Sequence, residues 1–140
     1  MKKVSFVIPC YRSANTIGVV VDEIRDTMPT LPEYDYEIIL VNDCSPDNTL
    51  EVISALALSD RRITAVDLAK NFGQHAALMS GISHSTGDFV VCLDDDGQTP
   101  ANEVGKLLAR LEQDDCDVAM AFYEHKQHSA FRNFGTKLNN

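Results

Sequence analysis

Apolar positions recur along the chain in two alternating rhythms. Residues 4–8 form a short, nearly continuous apolar run closed by Pro9, which reads as a strand buried on both faces. Ile17, Val20, Val21, Ile24 and Met28 then return at helical spacing, and Pro29 and Pro32 end that helix. Residues 36–41 predict a second strand. Ser45 followed by Pro46 predicts a helix start, an N-cap and then a proline in the first turn, with Leu50, Ile53 and Leu56 as the stripe. Residues 63–67 predict a third strand, 74–84 a helix entered from Gly73, and 89–93 a fourth strand, the most apolar of all. Thr99 and Pro100 repeat the cap-and-proline start, and Val104, Leu107, Leu108 and Leu111 form the next stripe. Residues 118–122 predict a fifth strand and 129–140 a weakly amphipathic helix. This alternation predicts an α/β domain with a mainly parallel sheet and helices on both faces. There is no internal repeat and no linker.

Sheets of this kind bind ligands beyond the carboxyl ends of their strands. After the first predicted strand stand Pro9, Cys10, Tyr11 and Arg12, where Tyr11 offers a ring for a flat base. After the second stand Asn42, Asp43, Cys44 and Ser45; Asp43 can accept from a nucleobase N–H, although Asn, Asp and Ser here also suit plain turn chemistry. After the third stand Lys70, Asn71, Phe72, Gly73 and His75. Gly73 permits a tight entry into a helix whose N-terminus suits an anion, and Lys70 offers a countercharge. His75 has no orienting partner in view and reads as a helix-start residue without a chemical role. After the fourth strand stand Asp94, Asp95, Asp96, Gly97 and Gln98. Three adjacent carboxylates at the mouth of a buried strand repel one another unless something compensates. On an extended chain Asp94, Asp96 and Gln98 face one side together. Hard oxygen ligands with positions left open suit Mg²⁺ or Mn²⁺ carrying substrate phosphates.

Composition narrows the ligand class. The 140 residues suit one domain, and the 44% hydrophobic share supplies a core. A formal net charge of -9 argues against a nucleic-acid groove. It also means that a phosphate ligand needs a cation or well-placed backbone N–H groups. No G-x-G-x-x-G and no G-K-[ST] occurs, so neither a dinucleotide cofactor nor a P-loop ATPase is expected. Cys10, Cys44, Cys92 and Cys116 show no C-x-x-C spacing and read as small buried hydrophobes in a reducing compartment. Two lysines precede the first strand in place of a signal peptide, and no apolar run approaches the roughly 20 residues of a membrane span. The chain therefore reads as soluble and cytoplasmic.

Taken together, VSFVIPCYRSANTI, YEIILVNDCSPDNT, NFGQHAALMSGISHSTGD and LDDDGQTP resemble, in order and spacing, the family 2 inverting glycosyltransferases of Rossmann-like GT-A fold. The third segment, the Gln-x-Pro after the acids and the tail SAFRNFGTKLNN are most similar to the branch that moves sugars onto polyprenyl phosphates. The resemblance implies a nucleotide-sugar donor, UDP- or GDP-linked, and a lipid-phosphate acceptor at the cytoplasmic face of a membrane. It implies that Pro9, Tyr11 and Asp43 line the base and ribose pocket, with Asn71, Gly73 and Asp95 near the nucleotide. Asp94 and Asp96 take the two acid positions of a D-x-D motif, and Gln98 assists them with Mg²⁺ or Mn²⁺. A phosphate acceptor is already ionised and needs no protein base; a hydroxyl acceptor needs one, and no convincing base is present. Cys44 stands where the family usually has Gly. Tyr123 stands where the polyprenyl branch usually has Arg, with His125, Lys126 and Arg132 as nearby cations. Residues 1–122 are expected to bind the donor and 123–140 to begin the acceptor side of a chain that stops short of the family's catalytic length.

Three rivals are weaker. LDDDGQT also resembles the nucleophile motif of haloacid dehalogenase-like phosphohydrolases, but that motif follows a first strand, not a fourth. A receiver domain expects acids after its first strand, where Pro9 and Cys10 stand. A non-catalytic nucleotide-sugar-binding fragment differs from the enzyme by binding donor without transfer.

Overall fold

The computed structural model describes residues 1–97, 103–113, 118–122 and 132–133, with side chains described through residue 113. Strand β1 (Lys2–Cys10) is followed by α1 (Ile17–Thr27) and a single 3-10 turn at Met28–Thr30. Then come β2 (Tyr34–Asn42), α2 (Thr49–Ser59), β3 (Ile63–Asp67), α3 (Gln74–Ser83), β4 (Phe89–Cys92), α4 (Glu103–Gln113), β5 (Val118–Phe122) and β6 (Arg132–Asn133). The sheet order is β3-β2-β1-β4-β5-β6. All pairings are parallel except β5 with β6. The mainly parallel sheet expected from the sequence is therefore present.

Strand β1 is central, paired with β2 from Lys2↔Tyr34 to Cys10↔Asn42 and with β4 from Val4↔Phe89 to Val7↔Cys92. That position explains why residues 4–10 are buried without a break. Alternate residues go to opposite faces. Val4, Phe6 and Ile8 pack with Ile17, Val21 and Ile24 of α1, Ile53 of α2 and Leu107, Leu108 and Leu111 of α4. Val7, Ile39, Val41, Val90 and Cys92 pack with Ala77 and Leu78 of α3 on the other face. Helices thus cover both faces.

Three expectations are corrected. The second helix does not start at Ser45 and Pro46; it starts at Thr49 with Asn48 as N-cap. Asn42 Oδ1 accepts the Ser45 N–H at 3.2 Å, and Asp47 Oδ1 accepts the Thr49 N–H at 3.1 Å, so these polar groups hold a loop before the helix begins. Cys44 is exposed, while Cys10 and Cys92 are buried as expected. Residues 132–133, read as helical, are a strand antiparallel to β5, because the edge of β5 offers backbone partners that a weak amphipathic pattern does not outweigh. Thr99, Pro100, Cys116 and the remainder of 129–140 lie outside the described residues.

Candidate nucleotide and metal site

Pro9 limits the pairing of β1 with β4. In a parallel ladder alternate residues point their N–H and C=O to opposite neighbours. Cys10 C=O accepts from Asp43 on the β2 side, and Val7 C=O accepts from Leu93 on the β4 side, at 3.0 and 3.1 Å. The next donor toward β4 falls at position 9, where proline has no N–H. The β1–β4 ladder stops at Val7↔Cys92, and the chain leaves the sheet through Leu93 into the acidic turn.

The acids therefore do not sit on extended chain, as the sequence reading supposed. Asp95 and Asp96 lie in a turn, and Gly97 takes φ 76, a left-handed conformation natural to glycine. The turn still separates the carboxylates, now by partner. Asp94 Oδ1 accepts from Gln74 Nε2 at 3.4 Å. Asp95 Oδ2 accepts the Tyr11 N–H at 3.1 Å, and its carbonyl accepts the Thr16 hydroxyl at 2.7 Å. Burial pushes the Asp95 carboxyl above its ordinary range; the Tyr11 N–H and Ser13 hydroxyl oppose that shift, and Asp96 reinforces it. The Ser13 hydroxyl makes no hydrogen bond of ordinary geometry among the described residues, yet it is close enough to favour the charged form of Asp95.

Asp43 is buried, and its Oδ1 accepts the Phe72 N–H at 3.0 Å. It thereby holds the segment carrying Asn71 and Gly73 against the end of β2. Asn71 Oδ1 accepts the Gly73 N–H at 3.0 Å, and Gly73 at φ 94 turns the chain into α3. The Tyr11 and Phe72 rings are exposed, and the Arg12 guanidinium lies 5.6 Å from the Tyr11 ring centre. Lys70 and His75 are exposed as well. Arg12 N–H donates to Ser45 Oγ of the β2–α2 loop at 2.8 Å, and Ser13 N–H donates to Thr49 Oγ1 at the start of α2 at 3.0 Å.

The predicted residues Pro9, Tyr11, Asp43, Asn71, Gly73, Asp94, Asp95 and Asp96 thus share one edge of the sheet; Gln98 lies outside the described residues. Gln74, Thr16 and Ser13 were not singled out from sequence, since their roles depend on segments distant in the chain. Among the described residues no group of three His, Cys, Asp or Glu is placed to hold a metal. Asp94 and Asp96, two positions apart where the chain leaves β4, still fit Mg²⁺ or Mn²⁺, which take few protein ligands and complete their shell with water and phosphate oxygens.

A family model described as Glycosyl transferase family 2 matches residues 5–139. The undecaprenyl-phosphate 4-deoxy-4-formamido-L-arabinose transferase of Yersinia enterocolitica is 36% identical over the whole of this chain, which spans 42% of that protein's length. Among solved structures, S. aureus TarS aligns with a TM-score of 0.68 at 19% identity, covering 91% of this chain and 23% of its own. The mannosyltransferase PcManGT from Pyrobaculum calidifontis, in complex with GDP-Man and Mn²⁺, aligns with a TM-score of 0.57 at 22% identity, covering 79% of this chain and 32% of its own. These two structures share the fold.

Proposed function

The chain belongs to glycosyl transferase family 2, and from that premise we propose that the crevice at the carboxyl edge of its sheet binds a nucleotide-sugar donor for inverting transfer to a polyprenyl phosphate. The carrying observation is the joining of four strand-end segments at one edge: Tyr11 to Asp95, Asp43 to Phe72, and Gln74 to Asp94. The polyprenyl acceptor is supported by the name of the Yersinia relative, and a divalent cation by the Mn²⁺ in the mannosyltransferase complex.

In this reading Asp94 and Asp96 hold Mg²⁺ or Mn²⁺, with Gln98 assisting. When bound, the cation offsets the diphosphate charge and stabilises it as a leaving group. Tyr11 presents its ring to the base. Pro9 ends the β1–β4 ladder and so opens the space beside it. Asp95 holds the Tyr11 backbone in place, and Asp43 fixes the Asn71–Phe72–Gly73 segment along the nucleotide. The acceptor oxygen attacks the anomeric carbon from the face opposite the diphosphate, which inverts configuration. A phosphate acceptor arrives ionised, so no side chain need remove a proton.

Residues 1–122 form the donor-binding unit in this proposal, and 123–140 begin the acceptor side. Among the described residues no helix is long and apolar enough to cross a membrane. We place the reaction at the cytoplasmic face, where a nucleotide-sugar and a lipid phosphate meet.

Calorimetric titration of UDP and GDP, with and without Mn²⁺, tests the reading. One nucleotide is expected to bind in a metal-dependent manner, and Asp96→Asn is expected to abolish that dependence. Equal binding with and without Mn²⁺ contradicts the assigned role of the acids.

A further inference from the structure

We propose that Gln74 is a positioning residue for the acidic turn, holding Asp94 in the orientation that a bound cation needs. The inference rests on the reading of Asp94 and Asp96 as the cation's ligands. Gln74 is the first residue of α3, and its side-chain amide reaches across the crevice to Asp94 Oδ1 at 3.4 Å.

Three features fix the point from which Gln74 reaches. Gly73 at φ 94 sets where the helix begins. The Phe72 N–H, 3.0 Å from Asp43 Oδ1, pins the preceding loop to the end of β2. At the far end of the helix, Gly81 lies so close to the sheet that an added Cβ would overlap Val7 Cγ1 and stand 3.1 Å from Val41 Cγ2. Helix α3 is thus seated directly on β1 and β2, and its N-terminus has little room to drift.

The chemistry of the amide suits the task. A neutral donor orients one carboxylate oxygen without adding a positive charge that would compete with the cation. A Lys or Arg at position 74 would engage Asp94 more strongly and repel the metal. Groups that orient metal ligands in this way commonly change metal affinity by about 10–100-fold when removed.

The test titrates Mn²⁺ into wild type, Gln74→Met and Asp94→Asn, each with UDP and separately with GDP, reading free Mn²⁺ by electron paramagnetic resonance. Asp94→Asn is expected to lose the site. Gln74→Met is expected to weaken Mn²⁺ binding by about tenfold, with an unchanged melting temperature in metal-free buffer. If Asp94→Asn loses the metal while Gln74→Met binds it as wild type does, the role of Gln74 is overturned and the acids stand. If weaker binding comes with a lower melting temperature, Gln74 serves the fold and the proposal falls. If Asp94→Asn binds Mn²⁺ as wild type does, the reading of the acids falls, and Gln74 with it.

Discussion

Cys44 takes φ 52, a left-handed conformation that costs a residue with a Cβ about 1 kcal/mol. A glycine would take this angle without that cost, a difference that only the backbone angle reveals. Cys44→Gly is expected to be neutral or up to about 1 kcal/mol more stable in urea unfolding, since relief of strain offsets the extra freedom glycine gives the unfolded chain. Cys44→Val is expected to lose about 1–2 kcal/mol, because a β-branched side chain fits the left-handed region worst. The acids after β4 stood out as a candidate site because three carboxylates in a row repel one another unless something compensates. Their orientation was not, since Asp95 turns to a backbone N–H at Tyr11, 84 positions away in the chain.

Among the elements, α3 sits close against the sheet at Gly81. Glycine inside a helix is usually improved by alanine, but Gly81→Ala meets Val7 and Val41. It is expected to destabilise by about 1–3 kcal/mol through overpacking. The double variant Gly81→Ala with Val7→Ala is expected to recover part of that loss beyond additivity, and a double-mutant cycle in urea measures the coupling. Additive losses would mean that the contact with Val7 is not the cause. The helix itself was readable from Gly73 and the apolar spacing, whereas its close approach to β1 was not. Likewise the amphipathic stripe of α4 marked Val104, Leu107, Leu108 and Leu111 correctly, and all four are buried. The start of α2 was misplaced because Ser45 and Pro46 look like a cap, while Asn42 and Asp47 hold them in a loop.

Across the whole molecule the two edges of the sheet do different work. At the edge away from the site, Glu37 accepts from the Ser5 hydroxyl at 2.6 Å and from the Thr86 N–H and hydroxyl at 2.7 and 3.0 Å, with Lys3 at 3.6 Å. Burial alone would raise the Glu37 carboxyl, but these donors outweigh it and hold it below its ordinary value of 4.5. A lowered folded pKa gives stability that is present above that value and is lost as pH falls through the folded pKa. Glu37→Gln is therefore expected to flatten the acid side of the stability profile and to leave nucleotide binding intact. A profile as steep as that of the wild type would show that other carboxylates govern the acid transition. At the site edge, by contrast, the acids lie within a chain of net charge -9, and a bound cation should stabilise the fold. Mn²⁺ and nucleotide at about 100 times their dissociation constant are expected to add roughly 2.7 kcal/mol, read as a rise in melting temperature absent from Asp96→Asn.

The sequence alone determined the order of elements from β1 to β5, the parallel class of the sheet and the edge at which to look, because hydrophobic period and turn residues act over a few neighbours. It also marked most of the candidate site, since unusual chemistry at strand ends stands out against a buried run. Tertiary structure decided which strand ends meet: Tyr11 with Asp95, Asp43 with Phe72, and Gln74 with Asp94. Those pairings follow from strand order and from where β4 leaves β1, and both are set by packing between segments tens of residues apart. Local pattern carries no record of such distances.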